Sequence, residues 1–402
     1  MKYGFLSMEN LGKATKAVWG GEADKSFWKG ASQVPVVDSV AFGYKNLEEW
    51  RAVALGQKPG HIYSRNTNPT VAVFEEKLRI LEGAEAATSF SSGMAAISNT
   101  LFALLRPGDK VVSIKDSYGG TNRLFTGFLP NFQIDTKLCS TKDYDEIEAE
   151  IAKGSKILYL ETPTNPTIKI VDLARLADFG HKHGAIVVVD NTFATPINQL
   201  PLQLGADLVI HSASKYLGGH ADALGGIVCG SQKLVETIYQ YREINGAALA
   251  PGDAYKLLRG MKTLALRVRQ QNSSAMEIAE FLSRREEIHQ VFYPGLPDHP
   301  GHKIAKAQMS GYGGMLSFLM KGGFEAMSNF LPRLKLAHMA ANLGAVETIV
   351  GPPVTTSHVE CTPQERERMG IPEGLVRYSV GIEDTEDLIA DLGQALDSVQ
   401  SL

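Results

Sequence analysis

The 402-residue sequence has only three cysteines, Cys139, Cys229 and Cys361. They are too few and too scattered for a disulfide framework or a thiolate metal site, and they fit a reducing, cytoplasmic compartment. Long hydrophobic runs are missing too: none approaches the ~18 residues that a membrane span needs. The first residues, MKYGFLSMENLGKATKAVWGG, lack the continuous apolar core of a signal peptide. Nor does one charge dominate. Lys plus Arg number 40 against 44 Asp plus Glu, a net charge of −4, which argues against a nucleic-acid or anionic-membrane binder. Internal repeats, low-complexity tracts, a P-loop and a GxGxxG after the first strand are all absent, so solenoid, disordered and nucleotide-binding classes drop out. His181 and His183 stand two apart near a helix end, and His220 with Asp222 finds no third partner at ligand spacing, so no metal is expected. Glycine, by contrast, is plentiful at 39 of 402 residues, against a usual ~7%. With 44% hydrophobic and 21% charged residues, the chain reads as a globular protein of two to three domains, and a cytosolic enzyme is the leading class.

Trp19, Trp28 and Trp50 all fall in the first 50 residues, an irregular arm that needs another subunit or the main domain to pack against. From about residue 70 the pattern becomes α/β. Val71, Phe74, Leu78 and Leu81 recur at helical spacing and Gly83 closes them. Apolar runs at 111–114, 157–160, 186–189, 208–210 and 227–229 each end in polar or Gly-rich residues, as strands buried on both faces of a parallel sheet do. Helices lie between them, one over 173–183 with Asp172 as its cap and Gly184 as its stop. This alternation predicts a doubly wound sheet with helices on both faces. Beyond residue 255 the rhythm changes to one long helix over 255–285, short strands near 291–293 and 315–319, and a last helix opened by Asp384. That helix puts Leu388, Leu392, Ala395, Leu396 and Val399 on one face. This part reads as a smaller α+β domain.

Open parallel sheets bind ligands at the carboxyl ends of their strands. Those ends carry Asp116-Ser117-Tyr118, Glu161-Thr162-Pro163-Thr164-Asn165, Asp190-Asn191-Thr192 and His211-Ser212-Ala213-Ser214-Lys215. A lysine amine condenses with an aldehyde, and pyridoxal phosphate needs such a lysine, a carboxylate beside its pyridine nitrogen and donors for its phosphate. Lys215 and Asp190 supply the first two. Ser212 and Ser214 are spaced to turn toward one phosphate, and Ser91-Ser92-Gly93-Met94 opens a helix over 95–105 whose N-terminus suits an anion. Tyr118 is placed to stack on the ring. Any one of these has a commoner reading as a solvated lysine, a helix cap or a packing tyrosine. Together they share one sheet edge.

With those residues in view, the chain resembles the Cys/Met-metabolism family of pyridoxal-phosphate enzymes. The resemblance is carried by Tyr63-Ser64-Arg65 with Asn68-Pro69-Thr70, Ser91-Ser92-Gly93-Met94, Tyr118-Gly119-Gly120-Thr121-Asn122-Arg123, Glu161-Thr162-Pro163-Thr164-Asn165-Pro166, Asp190-Asn191-Thr192, Ser212-Ala213-Ser214-Lys215-Tyr216, and Arg377-Tyr378-Ser379-Val380-Gly381. It implies an α/β, aspartate-aminotransferase-like (fold type I) large domain with a mostly parallel sheet, plus a small C-terminal α+β domain. The expected division is an arm at 1–62 in subunit contacts, a cofactor domain at 63–255 and a substrate domain at 256–402.

The resemblance also implies roles. Tyr63 and Arg65 would reach the cofactor phosphate of a neighbouring subunit in a homotetramer. Ser92, Gly93, Met94, Asn165, Asp190, Thr192, Ser212 and Ser214 would hold the cofactor, Asn165 near its ring hydroxyl. Lys215 would move protons, Tyr118 would lie over the ring, and Arg377 would clamp the substrate α-carboxylate. Asn342, Arg123, Glu347 and Thr356 would meet the rest of the substrate. The implied chemistry is loss of a Cγ substituent, followed by a new nucleophile (γ-replacement) or collapse to a 2-oxo acid and ammonia (γ-elimination).

Arg123 and Glu347 favour the cystathionine γ-lyase and γ-synthase branch, and Gly120 stands where methionine γ-lyases place a cysteine. Asn342-Leu343-Gly344-Ala345 and Thr355-Thr356-Ser357-His358 instead lean toward the O-acylhomoserine sulfhydrylases. Taken whole, the resemblance leans to a cystathionine γ-lyase- or γ-synthase-like enzyme acting on a homoserine-derived or sulfur amino acid. O-acylhomoserine sulfhydrylase, methionine γ-lyase and a γ-lyase for a γ-substituted substrate with a cationic tail on Glu347 are the alternatives, and a non-catalytic binding or assembly protein is the alternative of another class. Gly93, Gly119, Gly120, Gly218, Gly219 and Gly344 are expected where backbone approaches cofactor or substrate.

Overall fold

The computed structural model describes residues 8–22, 30–356, 358–359, 362–368 and 370–400; Trp28, Ser357 and Cys361 lie outside them. Seven strands form the larger sheet: β1 (Ala86–Phe90), β2 (Lys110–Ile114), β3 (Asp135–Cys139), β4 (Ile157–Glu161), β5 (Ile186–Asp190), β6 (Leu208–Ser212) and β7 (Gly226–Gly230). Their order is β1-β7-β6-β5-β4-β2-β3. The pairs from β6 through β5, β4 and β2 to β3 are parallel, whereas β7 runs antiparallel to both β1 and β6. That corrects the expectation of a parallel strand at 227–229. The link from β6 to β7 carries no helix to bring the chain back across the sheet, so the next strand returns antiparallel. An apolar run buried on both faces looks the same in either direction.

Strands β1 and β3 escaped the sequence reading because Ala-Ala-Thr-Ser-Phe and Asp-Thr-Lys-Leu-Cys have no run of β-branched residues. Elsewhere local chemistry sets the elements. The helix Pro69–Glu82 starts on the Asn68 side chain, which accepts from Thr70 N–H, and ends at Gly83 with φ 71°, a left-handed stop natural to glycine. The helix Gly93–Leu104 is capped by Ser92, whose hydroxyl accepts from Ala95 N–H.

The predicted long helix is two, Pro251–Met261 and Leu264–Ser283. The apolar periodicity runs straight through the break because its cause is tertiary. A Cβ on Gly260 would lie 1.9 Å from Gly218 O, so the first helix is pressed against the loop that follows β6. Arg267 bridges the gap, donating to Tyr216 O at 2.8 Å and Gly260 O at 2.9 Å.

A second sheet holds β8 (Ile288–Phe292), β9 (Met315–Met320), β10 (His338–Met339), β11 (Ile349–Gly351) and β12 (Leu375–Ser379) in the order β10-β11-β12-β9-β8. The helix Thr385–Gln400 covers it with Leu388, Leu392, Ala395 and Leu396, all fully buried. Among the described residues no helix is long and apolar enough to cross a membrane, and no group of three His, Cys, Asp or Glu side chains is set to hold a metal.

Candidate active site

A cavity of about 290 Å³ opens where the carboxyl ends of β4, β5 and β6 meet the loop before β11 and strand β12. It gathers Ser92, Gly93, Met94, Tyr118, Asn165, Asp190, Thr192, Ser212, Ser214, Lys215, Asn342, Thr356 and Arg377. Four predicted site residues are not brought there. Arg123 and Glu347 are exposed and do not line the cavity, and Tyr63 and Arg65 face outward as a pair, the guanidinium 5.4 Å over the ring. Charge type pointed to Arg123 and Glu347, but sequence offered no measure of where their loops run.

Lys215 enters from the turn after β6. Its Nζ donates to Asn342 Oδ1 at 2.7 Å. Burial first, and Arg377 second, draw its pKa from 10.5 to about 8, so about a tenth to a fifth of the amine is neutral near physiological pH and able to attack a carbonyl. Arg377 lies inside β12, 5% exposed. It donates to Asn165 Oδ1 at 3.1 Å and to the Asn342 carbonyl at 3.2 Å, both uncharged, and burial lowers its pKa to about 10. A buried guanidinium held by neutral acceptors is set to receive a carboxylate.

Asp190 ends β5 and takes Thr192 N–H on Oδ1 at 3.0 Å. Thr192 Oγ1 in turn accepts Ser212 N–H at 2.9 Å, tying the ends of β5 and β6 together. Glu161, one strand over, pairs with Asp190 in register. Burial raises the pKa of both carboxyls, and the negative Asp190 pushes Glu161 further. Glu161 lines the cavity, yet the sequence reading gave it no role. Its signal is a carboxylate ending a strand buried on both faces, beside Asp190.

A phosphate-sized anion finds a cradle at the start of the helix Gly93–Leu104. A Cβ on Gly93 would stand 2.7 Å from Ser212 Cβ and 2.8 Å from its Oγ, so only glycine lets the helix start and the β6 end close on one point. Of the six glycines expected around the pocket, Gly93 alone lines it. Gly219 and Gly344 make room for protein instead: a Cβ would meet Arg267 Nη1 at 2.2 Å and Tyr216 N at 2.7 Å respectively. The donor set therefore matches pyridoxal phosphate part by part: amine for aldehyde, carboxylate for ring nitrogen, and helix start with two serines for phosphate. Tyr118, 41% exposed, is free to cover a ring face.

Comparison with known proteins decides the matter. Residues 14–397 match the family model of the Cys/Met metabolism PLP-dependent enzymes. The chain belongs to this family. L-methionine gamma-lyase of Fusobacterium nucleatum subsp. polymorphum is 42% identical over 398 residues, 98% of this chain and 100% of that protein. Cystathionine gamma-lyase of Bacillus subtilis is 43% identical over 371 residues, 92% of this chain and 95% of that protein. The crystal structure of cystathionine gamma-lyase from Lactobacillus plantarum complexed with L-serine aligns with a TM-score of 0.91 at 38% identity, covering 97% of this chain and 100% of that one. This member of the Cys/Met metabolism PLP-dependent enzymes uses pyridoxal 5′-phosphate to perform γ-elimination or γ-replacement on an amino acid, which sets aside the non-catalytic alternative.

Proposed function

We propose that Lys215, Asp190, Tyr118 and Arg377 carry the reaction, on a homoserine-derived or sulfur amino acid. The observation behind this reading is that one cavity holds an amine lowered to about 8 and, on the other side of Asn342's bonds to both, a buried guanidinium whose acceptors among the described residues are neutral. Pyridoxal phosphate, when bound, supplies the electron sink that lets the Cα proton leave. Lys215 would hold its aldehyde and, as a neutral amine, would move protons between Cα and Cβ. Asp190 would keep the ring nitrogen protonated, Tyr118 would cover the ring, and Asn165 would serve the ring hydroxyl. Ser92, Gly93, Met94, Thr192, Ser212 and Ser214 hold the phosphate end. Arg377 fixes the α-carboxylate, so the side chain projects toward Asn342 and Thr356.

Apart from the polar residues assigned above, the cavity lining includes the uncharged Phe193, Leu224, Ala341 and Leu343. It supports a γ-substituent without charge, as in methionine or an acylated homoserine. The second reading is cystathionine γ-lyase or γ-synthase chemistry, that of the Bacillus subtilis relative; its charged far end would fall to Arg123 and Glu347. We propose further that the enzyme is a cytoplasmic homotetramer in which Tyr63 and Arg65 reach a neighbouring subunit's phosphate. Their outward-facing pair supports it. Light scattering giving a monomer would refute the assembly.

A substrate panel with product analysis tests the function: methionine, cystathionine, and O-acetyl- and O-succinylhomoserine with and without cysteine or sulfide. Release of 2-oxobutanoate or formation of a thioether is expected, abolished in Lys215→Ala. Turnover retained by that variant would overturn the residue assignment. Cystathionine consumed far faster than methionine would select the second reading.

A further inference from the structure

Glu161 stands at the end of β4 with 5% of its surface exposed, and both of its oxygens are engaged. Oε2 accepts the backbone N–H of Tyr118 at 2.8 Å, and Oε1 accepts the backbone N–H of Asn165 at 2.9 Å. Tyr118 comes from the loop after β2 and Asn165 from the loop after β4, so one carboxylate joins two strand-end loops. The chain of contacts continues, because Asn165 Oδ1 receives Arg377 Nη1 at 3.1 Å. Tyr118 depends on this support more than a packed residue would: the residue is 41% exposed, so its backbone largely sets where the ring lies. The ring also rests on Gly120, where a Cβ would stand 2.8 Å from Tyr118 Cε1.

Only a carboxylate satisfies this geometry. Glutamine has one acceptor oxygen, and its NH₂ would face one of the two N–H donors. Two N–H donors also offset part of what burial and the neighbouring Asp190 do to disfavour the ionised form.

We propose that Glu161 is a positioning residue for the reaction: it splints the Tyr118 loop and the Asn165–Arg377 clamp into one register, acting on ring and α-carboxylate through them. This rests on the reading that Tyr118, Asn165 and Arg377 serve the ring and the substrate.

The test uses the pyridoxal-phosphate-loaded enzyme and two variants, Glu161→Gln and Glu161→Asp. The readouts are the visible circular dichroism of the bound cofactor, the dissociation constant of glycine as a non-eliminating amino acid, and kcat/KM for the best panel substrate. Glu161→Gln is expected to keep its cofactor absorbance while the dichroism amplitude changes. Glycine should bind more weakly, and kcat/KM should fall about 100-fold, the scale of an ångström-sized misplacement. Glu161→Asp keeps two acceptors and should recover part of both. A merely structural role would lower only the melting temperature, so unchanged dichroism, glycine affinity and kcat/KM in folded Glu161→Gln would overturn the proposal. Should Glu161→Gln fail to fold, Glu161→Asp decides alone: wild-type dichroism and glycine affinity, despite a carboxylate one methylene shorter, would overturn it. Lys215→Ala is run alongside. If that variant keeps turnover, it is the underlying site assignment that fails, whatever Glu161 does.

Discussion

Arg377 offers the sharpest test of the site, because its binding and stability effects should have opposite signs. Its guanidinium is buried at 5% exposure and, among the described residues, donates to the Asn165 amide oxygen at 3.1 Å and the Asn342 carbonyl at 3.2 Å. If it receives the α-carboxylate through two parallel bonds, each charge-assisted bond is worth about 1.5–3 kcal/mol. Arg377→Lys keeps the charge but loses the fork, so it should weaken kcat/KM by about 10- to 150-fold. Arg377→Met removes both bonds and should cost about 10² to 10⁴-fold, chiefly as a raised KM. A decarboxylated substrate, the corresponding amine, should bind equally weakly to both forms. Stability should move the other way. A buried cation without an anionic partner is unfavourable, so apo Arg377→Met should melt at or above the wild-type temperature. Steady-state kinetics and differential scanning fluorimetry read the two effects. A loss confined to kcat, or an amine substrate penalised as heavily as the amino acid, would refute the carboxylate clamp.

Three further outcomes are expected. Gly93→Ala places a Cβ 2.7 Å from Ser212 Cβ; overpacking of about 1–3 kcal/mol should displace Ser212 and weaken pyridoxal-phosphate binding about 5- to 150-fold, and an unchanged dissociation constant by fluorescence titration would contradict the cradle. In the apoprotein, Lys215 should titrate near 8 rather than at 10.5, so its modification rate by an amine-specific reagent should climb through pH 8. The unfolded chain keeps this proton up to about 10.5 and the folded one does not, so the group makes stability rise with pH across that window; a midpoint near 10.5 would refute the burial argument. Glu347→Ala, exposed and outside the cavity lining, should leave the ratio of kcat/KM values for cystathionine and methionine within about threefold of wild type, a surface-substitution effect. A larger shift would return Glu347 to the substrate.

What could be read in the sequence divides along a physical line. Strands β2, β4, β5 and β6 were legible because each is a short β-branched run closed by polar residues. Since ligands bind beyond the carboxyl ends of such strands, Lys215 and Asp190 followed from them directly. Strand direction was not legible at β7, because burial on both faces erases the alternation that might have marked it. The break at 262–263 was hidden for a different reason: it is imposed by Gly218 approaching Gly260 and by Arg267, residues far apart in the chain. Glu161 opens the Glu161-Thr162-Pro163-Thr164-Asn165-Pro166 motif. Its importance comes from two N–H groups supplied by separate loops, which only the folded backbone brings together.

The four buried ionisable groups of the cavity share a design that individual residues do not reveal. Burial lowers Lys215 and Arg377 and raises Glu161 and Asp190, yet none of the cations is paired directly with one of these carboxyls. Lys215 is held by the Asn342 amide, Arg377 by the Asn165 amide, Asp190 by Thr192 N–H, and Glu161 by two N–H groups. Had Lys215 closed on Glu161, or Arg377 on Asp190, the apoprotein would gain an ion pair that every ligand would have to break. Neutral amides between the charges hold each group in place without satisfying it. The lysine therefore stays nucleophilic, and the guanidinium stays selective for an incoming carboxylate. In this arrangement Asn342 has a reason to be an amide: an aspartate there would clamp Lys215 as an ion pair and raise its pKa, trading nucleophilicity for stability.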